Sequence, residues 1–208
     1  MNNKEIDISK YSLVEDSLKL KIKTEKVSSI EEGEEIAAIL FKILSKQKSA
    51  IGLTANQIGI NKSVFVVNVL EPLYFINPEV LETSYDEIPY IETCLSIPNK
   101  KARTIRKLKI LIKADNLSKP QWFGSDKKPE TFREIFYDDK ILECVAIQHE
   151  FDHTIGVLIT DRDTTKKPIK IKKKIGRNDI VRLQKNNEIV EIKYKNINKY
   201  LNNGYSLI

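Results

Sequence analysis

Histidine and cysteine are scarce in this chain, two of each in 208 residues. Cys94 and Cys144 could form at most one bridge, which rules out a disulfide-dense scaffold. In a chain without export signals, cysteine serves as a ligand, a nucleophile or a small core residue. No apolar run approaches the roughly 20 residues of a membrane span, so a spanning helix is excluded. The start, Met1-Asn2-Asn3-Lys4-Glu5-Ile6-Asp7, has no apolar core and does not argue for secretion. No membrane partner is expected, and the expected location is the cytoplasm, or an organellar stroma or matrix if the protein is organelle-encoded. Internal repeats and low-complexity tracts are also missing.

What is present is ordinary for a globular protein: 41% hydrophobic and 31% charged residues. The length suits one domain with a small appendage. The formal charge of +6 is unevenly spread. Residues 166–208 carry 12 Lys/Arg against 3 Asp/Glu, a net of +9, which leaves residues 1–165 at −3. We therefore divide the chain into a body, 1–165, and a basic linker with a small C-terminal appendage, 166–208.

Residues 1–28 read as irregular with short strands. Ser29 and Glu32 form a capping-box pattern, and Ile36, Ile39, Leu40, Ile43 and Leu44 recur at helical spacing, with Gly33 a weak spot. Residues 51–57 are too short and glycine-broken for a helix. Ser63 to Val69 and Tyr74 to Ile76 read as strands, the second closed by Asn77-Pro78, and Lys107 to Ala114 as a half-exposed strand. Residues 115–131 read as a loop and 138–154 as a helix ended by Gly156. In the tail, segments 180–183 and 189–194 suggest a hairpin around Lys185-Asn186-Asn187-Glu188. A short helix near 196–201 and a strand over 205–208 follow, and residues 166–174 form the linker.

Both histidines fall in one pentapeptide, His149-Glu150-Phe151-Asp152-His153. On a helix, residues i and i+4 share a face, so both imidazoles can reach one metal ion. Glu150 is then placed to take a proton from a water at that ion. Leu142, Val145, His149 and His153 lie on one stripe, which turns the histidines inward. The competing reading is two core histidines bonded to backbone carbonyls. A third ligand is needed, and no histidine follows His153. The later carboxylates, such as Asp161, Asp163, Glu188 and Glu191, lie in loops or in the basic tail. Cys94, upstream, is the better candidate, since a Cys/His₂ set leaves a fourth position open.

Three blocks in order, Gly52-Leu53-Thr54-Ala55-Asn56-Gln57, Glu92-Thr93-Cys94-Leu95-Ser96 and Gln148-His149-Glu150-Phe151-Asp152-His153, resemble peptide deformylases over roughly residues 28–162. The resemblance implies an α+β fold with mixed and antiparallel sheets around a central metal-binding helix. It implies removal of the formyl group from N-formylmethionyl nascent peptides. The metal, held by Cys94, His149 and His153, would be one divalent ion, with Fe²⁺ the expected native one and Zn²⁺, Ni²⁺ or Co²⁺ as alternatives. Glu150 would shuttle the proton, while the Gln57 side chain and the Leu95 N–H would meet the oxyanion. Ile51 and Gly52 would pair with the peptide, and Ile91, Leu142, Val145 and Ala146 would line the methionine pocket. Cys144 would be a small buried residue, and Asp152 a helix support or an outer partner of the site. The chain departs from the family's pattern at Ala50, Thr54 and Thr93, and segment 115–137 is longer than usual. Two other readings stay open: an HExxH zinc peptidase with a downstream carboxylate ligand, and a deformylase-like scaffold that acts as a binding module through its basic tail. A basic tail can also meet ribosomal RNA phosphate.

Overall fold

Asp16 caps a single helical turn, α1 (Ser17–Leu20), by accepting the Leu18 N–H. It is the first element of the computed structural model, which describes residues 6–165, 178, 180–185, 188–201, 203 and 205–207. The chain forms two compact units, Met1–Lys166 and Lys167–Ile208.

In the first unit Ser29 caps α2 (Ile30–Leu44), its hydroxyl accepting the Glu32 N–H. The reciprocal bond is displaced by one residue, because the Glu32 carboxylate accepts from the Ser28 N–H and hydroxyl. Ile36, Leu40, Ile43 and Leu44 are buried and Ile39 packs at the margin, so the helical spacing becomes one apolar face. Gly33 is buried on that face. A Cβ there would meet the Ile76 side chain at 2.5 Å, so the position needs a residue without one.

Strand β1 (Gly52–Thr54) runs straight into a 3₁₀ turn over Ala55–Ile58. The segment 51–57 therefore does hold a short helical turn, contrary to the sequence reading. The Thr54 N–H, donating to the Gln57 side chain at 2.9 Å, secures it. Strand β2 (Val64–Asn68) pairs antiparallel with β1 and with β3 (Pro72–Ile76). Along β2, Val64 and Val66 join the α2 cluster, while Phe65 and Val67 join the opposite one. A strand covered on both faces is apolar at every position, which is why this run is so legible.

Five further strands follow: β4 (Glu79–Thr83), β5 (Glu87–Cys94), β6 (Ile97–Lys107), β7 (Lys109–Lys113) and β8 (Gln121–Gly124). β5 and β6 form an antiparallel hairpin, and β4, β7 and β8 form a sheet in the order β4-β7-β8. The sequence reading captured β7 but missed β4, β5 and most of β6. It also assigned β8 to a loop. Helix α3 (Phe132–Tyr137) lies in the long segment, its N-terminus capped by the Thr131 hydroxyl accepting the Glu134 N–H.

Asp138 caps α4 (Asp139–Thr154) by accepting the Lys140 and Ile141 N–H groups. Gly156, at φ +74°, turns the chain away beside the Lys21 carbonyl. α4 packs against β1, β2 and β8, with Cys144, Ala146 and Ile147 among Phe65, Phe75 and Phe123. α5 (Ile159–Arg162) closes this unit. The result is an α+β fold centred on α4.

The second unit pairs β9 (Ile180–Lys185) antiparallel with β10 (Glu188–Lys193), Lys185 opposite Glu188. A 3₁₀ turn over Tyr194–Asn196 leads into α6 (Ile197–Leu201), and β11 (Ser206–Leu207) returns beside β9. Val181 and Leu183 are the buried residues of β9. The expected linker 166–174, the turn residues Asn186 and Asn187, and Ile208 lie outside the described residues. Among the described residues no helix is long and apolar enough to cross a membrane.

Candidate active site

Helix α4 presents His149 and His153 side by side, with ring centroids 5.1 Å apart. Cys94 arrives from the end of β5, where the register with β6 shifts between Glu92 and Cys94. Its Sγ lies 3.3 Å from His153 Nε2. The thiol and one nitrogen from each ring all fall within 4.8 Å of one another, and all three residues are buried. Three buried donors packed this closely need a cation between them to offset their desolvation. A sulfur and two imidazoles suit iron, zinc, nickel or cobalt. These residues fit a single divalent ion.

A ring of buried charge stands behind the donors. His149 Nδ1 meets Glu92 Oε2 at 2.8 Å, which leaves the other ring nitrogen for a metal. Arg106 grips Glu92 through Nε at 2.6 Å and Nη2 at 2.9 Å, and reaches Asp152 through Nη1 at 2.6 Å. The Thr104 hydroxyl also donates to Glu92, and Arg162 donates to Asp152. Burial alone would raise the Glu92 pKa, but the His149 and Arg106 contacts outweigh it and hold the carboxyl well below the usual range. Burial likewise disfavours a charged His149, yet its bonds to Cys94 and Glu92 raise its pKa. Burial and the neighbouring His149 push His153 the other way. Asp152 is thus an outer partner through Arg106. Thr104 and Arg162 escaped the sequence reading, as did Arg106, and Glu92 was read only as part of its block. The available signal was period two along 102–106, where Ala102, Thr104 and Arg106 are buried between exposed Arg103 and Ile105.

Glu150 is buried beside β1. The Thr54 hydroxyl lies 2.7 Å from its Oε2 and 3.1 Å from its backbone oxygen. A Cβ on Gly52 would stand 2.5 Å from Glu150 Oε1, so only glycine leaves room for this carboxylate. Burial raises the Glu150 pKa, and the opposing pull of His149 and Thr54 only partly offsets it. Gln57 accepts the Thr54 N–H through Oε1, which turns its NH₂ toward Cys94 Sγ at 3.5 Å and Ser96 Oγ at 3.3 Å.

A cavity of about 520 Å³ brings these groups together. Gln57, Cys94, Leu95, His149 and Glu150 line it along with Ile51, Gly52, Ile91, Leu142, Val145 and Ala146. His153 is fully buried behind them. Ala50 and Thr93, two of the departures, are on the wall as well, and so are Tyr90 and Phe136, which the sequence reading did not single out. Cys144 lies in the apolar cluster with Phe65 and Phe123, where burial pushes its thiol up to about 12 and suppresses any thiolate.

A buried carboxylate beside a three-donor cation site, open to a cavity, is the equipment of hydrolases that use one metal ion, and that is the class the fold and site define. Residues 10–168 match the family model for polypeptide deformylase. A peptide deformylase from Natranaerobius thermophilus is 35% identical over 147 residues, 69% of this chain and 85% of the relative. One from Hamiltonella defensa is 39% identical over 146 residues, 68% of this chain and 74% of the relative. The crystal structure of peptide deformylase from Thermotoga maritima superposes with a TM-score of 0.58 at 27% identity, covering 74% of this chain and 97% of that one. The chain belongs to the polypeptide deformylase family.

Proposed function

We propose that this enzyme removes the formyl group from N-formylmethionyl nascent peptides, releasing formate and a free amine, with Cys94, His149 and His153 holding one divalent ion, Fe²⁺ in its native state. The observation that carries the reading is the meeting of those donors with Glu150 and Gln57 in one cavity. A metal bound there supplies Lewis acidity and lowers the pKa of water toward neutrality. Glu150, its carboxylate braced by Thr54 and its pKa raised by burial, accepts a proton and returns it to the departing amine. The Gln57 NH₂ and the Leu95 N–H are the donors for the oxyanion. Gly52 opens β1, an edge strand of its sheet, and Ile51 directly precedes it, so an extended peptide can add there by backbone pairing. Leu142, Val145 and Ala146 give the apolar wall for methionine, with Ile91 at the rim.

The deciding experiment is formate release from formyl-Met-Ala-Ser by iron-loaded protein kept free of oxygen. No formate would sink the reading, and cleavage of internal peptide bonds instead would favour the peptidase. The peptidase reading requires a carboxylate after His153 as third ligand, whereas Cys94 is the residue that completes the cluster.

Gln57→Leu is expected to lower kcat by about 10²–10³-fold while leaving KM within a few-fold, because its donor acts on charge formed in the transition state. Steady-state kinetics check this, and an effect confined to KM would reassign Gln57 to ground-state binding.

The basic segment 166–208 supports a further reading as a ribosome contact, since clustered lysines attract RNA phosphate. Removing it should leave tripeptide deformylation nearly unchanged and weaken co-sedimentation with ribosomes at low salt. Equal ribosome binding by both forms would refute the contact. On this reading the enzyme works where formylated chains emerge, in the cytoplasm or an organelle.

A further inference from the structure

Helix α3 lies between β8 and α4, and it puts two phenylalanines on one face. Phe132 and Phe136 are four residues apart, with ring centroids at 4.9 Å. Phe136 stacks on Tyr90 at 5.0 Å. Ile135 anchors the helix in the cluster that contains Ile88, Tyr90 and Val145. Despite that anchoring, Phe132 is 52% and Phe136 40% exposed, as is Ile91 beside them at 40%. Large apolar groups left bare at the mouth of a catalytic cavity mark a place where something apolar docks. The surface is continuous with the site. Phe136, Tyr90 and Ile91 line the catalytic cavity, and Tyr90 and Ile91 also line an adjoining hollow of about 270 Å³ closed by Phe132, Pro89 and Arg103.

We propose that Phe132 and Phe136, with Tyr90 and Ile91, form an outer subsite that selects a large apolar or aromatic side chain in one of the two residues following the formylmethionine. The proposal rests on the deformylase reading above. Its occupant is the substrate itself, because the hollow shares its Tyr90 and Ile91 walls with the catalytic cavity. Aromatic stacking gives such a subsite a moderate selectivity, expected at about 4- to 10-fold in kcat/KM.

The test uses the full, metal-loaded chain and three amidated peptides: formyl-Met-Ala-Ala, formyl-Met-Phe-Ala and formyl-Met-Ala-Phe. One of the two phenylalanine peptides should exceed the alanine peptide by that factor. Phe132→Ala, which removes a wall of the outer hollow and the ring beside Phe136, and the Phe132→Ala/Phe136→Ala pair should bring the ratio to within about twofold of one. Calorimetric binding of the matching deformylated peptides should follow the same order. A ratio of one in the unaltered enzyme, or a preference that survives both variants, would overturn the subsite while leaving deformylation intact. Failure of all three peptides to yield formate would overturn the deformylase reading and the subsite with it. Concentration-dependent dimers abolished by the two substitutions would assign the patch to a second copy of the chain and also overturn it.

Discussion

Glu150→Gln is expected to keep one metal ion per chain and lose about 10²–10⁴-fold in kcat, the usual worth of a positioned acid–base group. Glutamine is nearly isosteric, so the space created by Gly52 still accommodates it. The Thr54 hydroxyl can still donate to the amide oxygen at the position of Oε2, where it now lies 2.7 Å away. What is lost is proton affinity, and the proposed reaction calls on it twice. Metal analysis beside steady-state kinetics separates the two effects. Activity within a few-fold of the unaltered enzyme would mean that another group is the base.

Cys94→Ala is expected to remove metal and activity together. Losing an outer partner of a ligand already costs about 10–100-fold in metal affinity, and losing the ligand should cost more. His149 and His153 would remain on α4, but two imidazoles on one helix make an open, two-donor site. Glu92 and Arg106 would still orient the His149 ring, so protein folding and metal binding can be followed separately by circular dichroism and metal content. A fully metallated and fully active Cys94→Ala protein would rule out the site as drawn.

The legible parts of the molecule were those whose signal is local. Ser29 announces α2 because a cap bonds within three residues of itself, and α4 is announced by its own periodicity and by Gly156 at its end. His149 and His153 meet through helix periodicity alone, and Cys94 was placed by its block and by the need for a third donor. The β5–β6 hairpin was illegible for the opposite reason. Its inward face mixes Ile88 and Tyr90 with Glu92, Thr104 and Arg106, polar residues that satisfy one another across strands, while Ile91 and Ile105 face outward, so the buried alternation is not an apolar one. Helix α3 was hidden in the same way, with Ile135 as its one buried residue. Methionine-pocket candidates on α4 came with the family resemblance, whereas Tyr90 and Phe136 reach the cavity through tertiary packing.

The separation of the donors along the chain has a consequence for how the enzyme matures. Cys94 and His153 are 59 positions apart, and Glu92 and His149 are 57 apart. In an unfolded chain such pairs meet only at the entropic cost of closing a long loop, so a nascent polypeptide offers a metal little beyond the two imidazoles. Full affinity appears when the β5–β6 hairpin has closed onto α4. An ion that binds only the native chain stabilises it, by about 2.7 kcal/mol at a free concentration one hundred times its dissociation constant. Metal loading is therefore a late event in the life of each molecule and a ratchet on its folding. An enzyme that processes newborn chains must first complete its own birth before it can take up the ion it works with.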